Sequence, residues 1–265
     1  MSDALLKSHH LLSNDYCPSV PFSMDFGRYT VKIANQLEEL YPLLRLRHQV
    51  FFGSSENDSA LDIDEYDFDA DHLCLWDNEA QKAVGTYRLR NSTKIKEYYS
   101  ASEFDCLHMI QSLPGIKVEL GRACVHADYR NGVAVPLLWQ GLGAYLSTLK
   151  AEWVFGCSSV NLESRDEKEV SDYCRWLLKN HSIHSNFVIQ ARQKHAVFSN
   201  FNLDQEVENM ARYSPSLLKA YLRMGAKVCG EPAYDDQMNT IDFLTILEVN
   251  KTPEGMGKHF GIIQR

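Results

Sequence analysis

Apolar residues recur along the chain at two spacings. From Gln36 onward, Leu37, Leu40, Leu44 and Phe51 fall at helical intervals, with Asn35 and Glu38 as a capping pair. Pro42 either kinks this helix or marks its true start. The clearest amphipathic helix carries Val135, Leu138, Leu142, Tyr145, Leu146 and Leu149. A third covers 166–178 with Val170, Tyr173 and Leu177 inward, and Ser214, Pro215 and Gly225 bracket a fourth. Runs at 29–33, 72–77, 83–90, 117–125, 153–160 and 241–249 read as strands. Helices and strands interleave, which predicts an α/β (α+β) fold on one mixed sheet. Residues 1–27 show no period and carry Pro18, Pro21 and Gly27, so they read as an N-terminal arm.

Charge narrows the picture. The 265 residues hold 27 Lys and Arg against 35 Asp and Glu, a net charge of −8, which argues against a nucleic-acid partner. The same balance argues against a protein held on anionic lipid by charge alone. No apolar run approaches the ~20 residues of a spanning helix. Residues 1–14 lack the basic start and apolar core of a signal peptide, so the expected location is cytoplasmic. Seven scattered cysteines without a Cys-x-x-Cys pair predict reduced, mostly buried thiols.

The common phosphate-loop, dinucleotide, zinc-protease and serine-hydrolase motifs are absent. The run from Asp67 to Asp71 imitates a calcium loop, but His72 stands where glycine is required and Asn78 where glutamate is. More informative is the turn that follows the strand at 117–125. Arg130, Asn131, Gly132, Val133 and Ala134 run straight into the clearest helix, so backbone N–H groups there can face an anion. An ordinary strand–turn–helix connection would read the same. Gly121 inside its strand marks either a bulge, which would let Glu119 and Arg122 approach one site, or a weakened strand. Arg47 falls on the apolar stripe of its helix, so it either needs carboxylate partners, with Asp69 and Glu119 as candidates, or snorkels from the stripe's edge. Cys124 lacks an oriented base and reads as core rather than as a nucleophile.

Taken in order, Leu46-Arg47-His48-Gln49-Val50-Phe51, Asp64 through Leu73, Gly85-Thr86-Tyr87-Arg88-Leu89, Glu119 through His126 and Asp128-Tyr129-Arg130 resemble one family. It is the ornithine N-acyltransferases of ornithine-lipid synthesis, within the GNAT (N-acetyltransferase) superfamily. The stretches 215–228 and 230–235 are similar to it as well, so the resemblance spans roughly 30–250. A more distant likeness, to acyl-homoserine lactone synthases, rests on Arg47, Phe51, Asp69, Arg88, Glu119 and Arg122.

The resemblance implies a GNAT fold, a central mixed twisted sheet with helices on both faces, as one domain at 28–250 followed by a tail at 251–265. It implies transfer of a long 3-hydroxyacyl group from an acyl carrier protein thioester to the α-amine of ornithine, giving a lyso-ornithine lipid. No cofactor beyond the acyl-phosphopantetheine donor, and no metal, is expected. Glu119 is expected to accept the amine's proton, while Arg47, Asp69, Arg88 and Arg122 form a charge network in the floor. Residues 130–134 are expected to hold the phosphopantetheine phosphate. The general GNAT loop begins with Gln or Arg, and Tyr129 in that place suits a carrier protein, which has no adenosine diphosphate moiety to hold. Tyr98, Tyr99 and Phe104 are either tunnel lining or plain core. An acidic carrier needs a local basic face, expected around Arg130 with some of Lys150, Arg192, Lys194 and Lys219. Leu5-Leu6 and Leu11-Leu12 are candidates for peripheral contact with the inner membrane. The alternatives are an enzyme acting on glycine or another amino acid, a lactone synthase using S-adenosylmethionine, and a non-catalytic module binding carrier protein or lipid.

Overall fold

The computed structural model describes residues 16–53, 59–163, 165–183, 187–198 and 201–253. These form two compact units: one drawn from the described residues of 16–95 and 120–151, the other from those of 96–119 and 152–253. Leu5-Leu6 and Leu11-Leu12 lie outside the described residues.

In the first unit the strands are β1 (Ser23–Phe26), β2 (Tyr29–Ile33), β3 (Asp71–Asp77), β4 (Lys82–Asn91) and the second half of β5 (Ile116–Val125), adjacent in that order. The pairs β1/β2, β2/β3 and β3/β4 are antiparallel. β1 was not legible, because the end of the expected arm is a hairpin strand rather than irregular chain. Gly27, at φ +70°, makes its tight turn, and Asp25 Oδ1 accepts the Gly27 N–H at 2.7 Å.

Helices cover both faces of this part of the sheet. Leu73 and Cys74 point to opposite sides, as neighbours on a strand must. Cys74 packs with Leu40, Leu43 and Leu44 of α1 (Leu37–Phe52). α1 begins ahead of Pro42 and takes no side-chain cap at Gln36; instead Glu39 accepts the Asn35 N–H at 2.7 Å. On the other face lie α4 (Ala134–Leu149) and its Gly141, whose Cα faces Val31 and Leu73 with no room for a Cβ. Between Leu75 and Trp76 the β3/β4 register slips. Because of it, Gly85 meets Leu138 of α4 while Ala83, two residues away, packs in the α1 cluster.

The second unit contains the first half of β5, then β6 (Ala151–Asn161), β8 (Thr240–Glu248) and β7 (Lys227–Asp235) in that spatial order. β8 is antiparallel to both neighbours that flank it. α5 (Glu167–His181) turns Val170, Tyr173 and Leu177 inward, as its spacing predicts, onto Val228, Ile241 and Phe243. Asp166 caps it by accepting the Glu169 N–H at 2.7 Å. α6 (Ser216–Arg223) is bracketed as expected, yet Ser214 does not cap it, because its hydroxyl bonds Tyr173 Oη at 3.0 Å. Two short helices, α2 (Ser100–Glu103) and α3 (Leu107–Ser112), occupy the stretch before β5.

Candidate active site

The arginine on the α1 stripe is fully buried and fully paired. Arg47 Nε donates to Asp62 at 2.7 Å, and its two terminal nitrogens donate to the two Asp67 oxygens at 2.6 and 3.0 Å. Such a fork on a planar carboxylate is a geometry only arginine supplies. Asp67 closes a short 3-10 turn (Glu65–Asp67) that Asp64 caps, so one turn presents both carboxylates. Arg88, on β4, reaches the same turn at 2.6 Å from Asp64 and 3.3 Å from Asp67, with its guanidinium over Tyr66. Arg122 approaches Asp64 at 3.4 Å and Asp62 at 3.5 Å, over the ring of Phe51. Burial alone would raise the Asp67 carboxyl, but Arg47 and Arg88 hold it well below the usual carboxylate range.

Three of the expected network members therefore meet, and one does not. Asp69 is exposed; Asp62, Asp64 and Asp67 take the place it was given. The capped turn decides this, since it swings Asp67 inward and leaves Asp69 two positions on. Gly121 is also not the strained residue of its strand. Arg122 is, at φ +48°, in a region where side-chain-bearing residues are uncommon and tend to mark functional sites.

Glu119 is 2% exposed, and its carboxylate holds the start of α2. It accepts the backbone N–H of Tyr99 at 2.9 Å and of Ser100 at 2.7 Å, and the Ser100 hydroxyl at 2.7 Å. The expected proton acceptor is thus already committed to donors at the start of α2. Tyr98 and Phe104 are core side chains, 4% and 0% exposed, Tyr98 standing edge-on to Phe155. Cys124 is buried and its thiol is pushed up to about 12 by that burial, as a core residue's would be.

The turn ahead of α4 is open. Arg130, Asn131, Gly132 and Val133 are exposed, and Ala134 is buried where the helix begins. Gly132 stands at φ +92°, and Asn131 Oδ1 accepts the Val133 N–H at 3.2 Å. The Arg130 Nε donates to Val125 O at 3.1 Å. Behind the turn, Tyr129 donates its hydroxyl to Asp77 Oδ2 at 2.8 Å, which Arg28 also grips at 2.7 Å. Of the expected basic residues, Lys194 pairs with Glu231 at 2.6 Å and Arg192 donates to Ala101 O at 2.7 Å. No helix of the described residues is long and apolar enough to cross a membrane.

Residues 46–140, which carry every one of these predicted positions from Arg47 to Ala134, match the acetyltransferase (GNAT) domain. The L-ornithine N(alpha)-acyltransferase of Brucella abortus (strain 2308) is 29% identical over 253 residues, 89% of each chain. That of Rhodobacter capsulatus is 30% identical over 244 residues, covering 85% of this chain and 92% of its own. Among solved structures, FeeM, an N-acyl amino acid synthase from uncultured soil microbes, aligns at TM-score 0.47 and 11% identity, over 86% of this chain and 97% of that one.

Proposed function

Since the chain belongs to the L-ornithine N(alpha)-acyltransferase family, and so is an acyltransferase, we propose that it acylates the α-amine of ornithine from an acyl carrier protein thioester. The acyl group is long and 3-hydroxylated, and the product is a lyso-ornithine lipid. The observation carrying the acceptor and the reaction type is the 30% identity that extends over 92% of an L-ornithine N(alpha)-acyltransferase.

The chemistry asks little beyond positioning. The neutral amine adds to the thioester carbonyl carbon; the carbon–sulfur bond then breaks, the sulfur leaves as the thiol with one proton, and the amide remains. Before the attack the ammonium gives one proton to Glu119 by way of a bridging water, so the neutral amine carries just the two protons that end on the amide and on the thiol. Residues 130–134 take the phosphopantetheine phosphate on the exposed turn that leads into a 16-residue helix, with Arg130 adding a charge-assisted contact. Arg47 and Arg88 are positioning residues, because their charges are matched within the network and so hold the floor instead of reacting. The product's acyl chain suits release at the cytoplasmic face of the inner membrane.

The test is the purified full chain with a 3-hydroxyacyl carrier protein or the matching coenzyme A thioester, offered ornithine, glycine and other amino acids, with products read by mass spectrometry. Acyl-ornithine from the carrier thioester supports the reading. Acylation of glycine alone, a lactone when S-adenosylmethionine is added, or no product from any amine overturns it.

A further inference from the structure

The ion-pair network of the first unit has a sealed side and an open one. The side chains of Arg47 and Arg88 are 1% and 2% exposed, and each closes on a carboxylate at 2.6 Å. Arg122 and Asp64 differ, because their side chains are 19% and 20% exposed and they face each other at 3.4 Å. Arg122 meets Asp62 no more closely, at 3.5 Å. A charge-assisted N–H···O bond ordinarily closes to about 2.7–2.9 Å, so the outer pair stands apart where the inner ones are tight.

Backbone and packing hold Arg122 in this place. It adopts φ +48° inside β5, a conformation that costs free energy for a residue with a side chain. Its guanidinium lies 5.8 Å from the ring centroid of Phe51, in the last turn of α1. Stacking of that kind fixes the plane of the fork and leaves its edge for a pair of oxygens. Phe51 and, along β5, Gly121, Arg122 and Ala123 are all partly exposed, so a small solute reaches this edge of the network. On Asp64, Oδ1 is taken by Arg88 and the Tyr66 N–H, while Oδ2 is the oxygen turned toward Arg122.

Charge counting says what that solute must carry. Arg47, Arg88 and Arg122 are set against Asp62, Asp64 and Asp67, three charges of each sign. A plain carboxylate drawn onto Arg122 would leave Asp64 Oδ2 short of a cation, and a plain ammonium on Asp64 would do the same to Arg122. A zwitterion supplies both signs and keeps the balance. The head of an α-amino acid is such a group, with carboxylate and ammonium on one carbon. Arg47 already shows the carboxylate half of the geometry within this network, in its two-nitrogen grip on Asp67.

We propose that Arg122 and Asp64 form the subsite for the head group of the amino-acid acceptor, with Arg122 on the α-carboxylate and Asp64 on the α-ammonium before it loses its proton. This rests on the reading that the acceptor is an amino acid, and it makes the head group, rather than the side chain, what this edge recognises.

Calorimetric titration of the full chain tests both halves, using ornithine, ornithinamide, which lacks the carboxylate charge, and 5-aminopentanoate, which lacks the α-amine. The unaltered protein should prefer ornithine to either by about tenfold or more, the size of one charge-assisted contact. Arg122→Gly suits the left-handed backbone while removing the guanidinium. It should abolish the preference over ornithinamide and leave ornithinamide affinity within about threefold, which also reports a folded site. Asp64→Asn should abolish the preference over 5-aminopentanoate; if it fails to fold, since Asp64 also caps a turn, Arg122→Gly decides alone. Ornithine that does not bind, equal affinity for ornithine and ornithinamide in the unaltered protein, or a preference that survives Arg122→Gly overturns the proposal. So does an Arg122→Gly protein that loses all three ligands alike, the mark of a purely structural arginine. Acylation is scored separately. A head-group preference lost in Arg122→Gly, with glycine the only amine acylated, would sink the ornithine reading and spare the subsite. Acyl-ornithine formed with equal KM for ornithine and ornithinamide would do the reverse.

Discussion

Asp67 and Asp69 stand two positions apart in an acidic run, and nothing in their composition tells them apart. The fold does, because the Asp64 cap closes a turn that sends Asp67 between Arg47 and Arg88 and leaves Asp69 in solvent. The arginine's placement was legible because a charge on an apolar stripe demands a partner. Which carboxylate answered was not, since it depends on a turn no period encodes. Stability should record the difference: Asp67→Ala leaves Arg47 buried without its main partner and should cost about 3–5 kcal/mol by urea unfolding. Asp69→Ala should change it by less than about 0.5 kcal/mol. A different signature belongs to Glu103. Its folded proton affinity lies at about 8 against 4.5 for an ordinary glutamate, faced by Asp242 and Asp235 from β8 and β7, Cys157 from β6 and Tyr99 beside α2. Between those values the folded chain holds a proton that the unfolded chain has released. Without ligand, stability should therefore fall as pH rises through that window, and thermal unfolding of Glu103→Gln should show a flatter profile there.

Elements with a clean period were the most readable. The helix at 134–149 and the one at 167–181 begin and end within a few residues of their predicted bounds. The features missed were those that periodicity does not carry: the short hairpin strand Ser23–Phe26, the strand at 227–235, and the two brief helices ahead of β5. The close approach of Glu103, Asp235 and Asp242 escaped for a related reason, since they come from three elements up to 139 positions apart and no spacing joins them. Close packing of α4 on the sheet makes its own claim. Gly141 leaves no room for a Cβ against Val31, and a valine there would be overpacked where β2 and β3 cannot retreat. Gly141→Val should lose roughly 1–3 kcal/mol in denaturant titration, with the helix content of the folded state retained.

For the molecule as a whole, a net charge of −8 sets a problem if the donor is an acidic carrier protein, because long-range repulsion slows encounter. Exposed Arg130 is then the group best placed to offset it. Arg130→Glu should lower kcat/KM for a carrier-linked donor by about tenfold at low salt, with a smaller loss at high salt, as screening removes both attraction and repulsion. Stopped-flow or steady-state rates across a salt series would show it; an unchanged salt slope would count against carrier docking at this turn. Behind that turn lies the grip of Asp77 on both Tyr129 and Arg28. A phenol tethered to a hairpin two strands away is no longer free to sweep outward toward a nucleotide. Recognition of the donor would then stop at the pantetheine arm, and a stripped-down acyl-pantetheine phosphate should serve nearly as well as a full coenzyme, with the adenine end left as idle cargo.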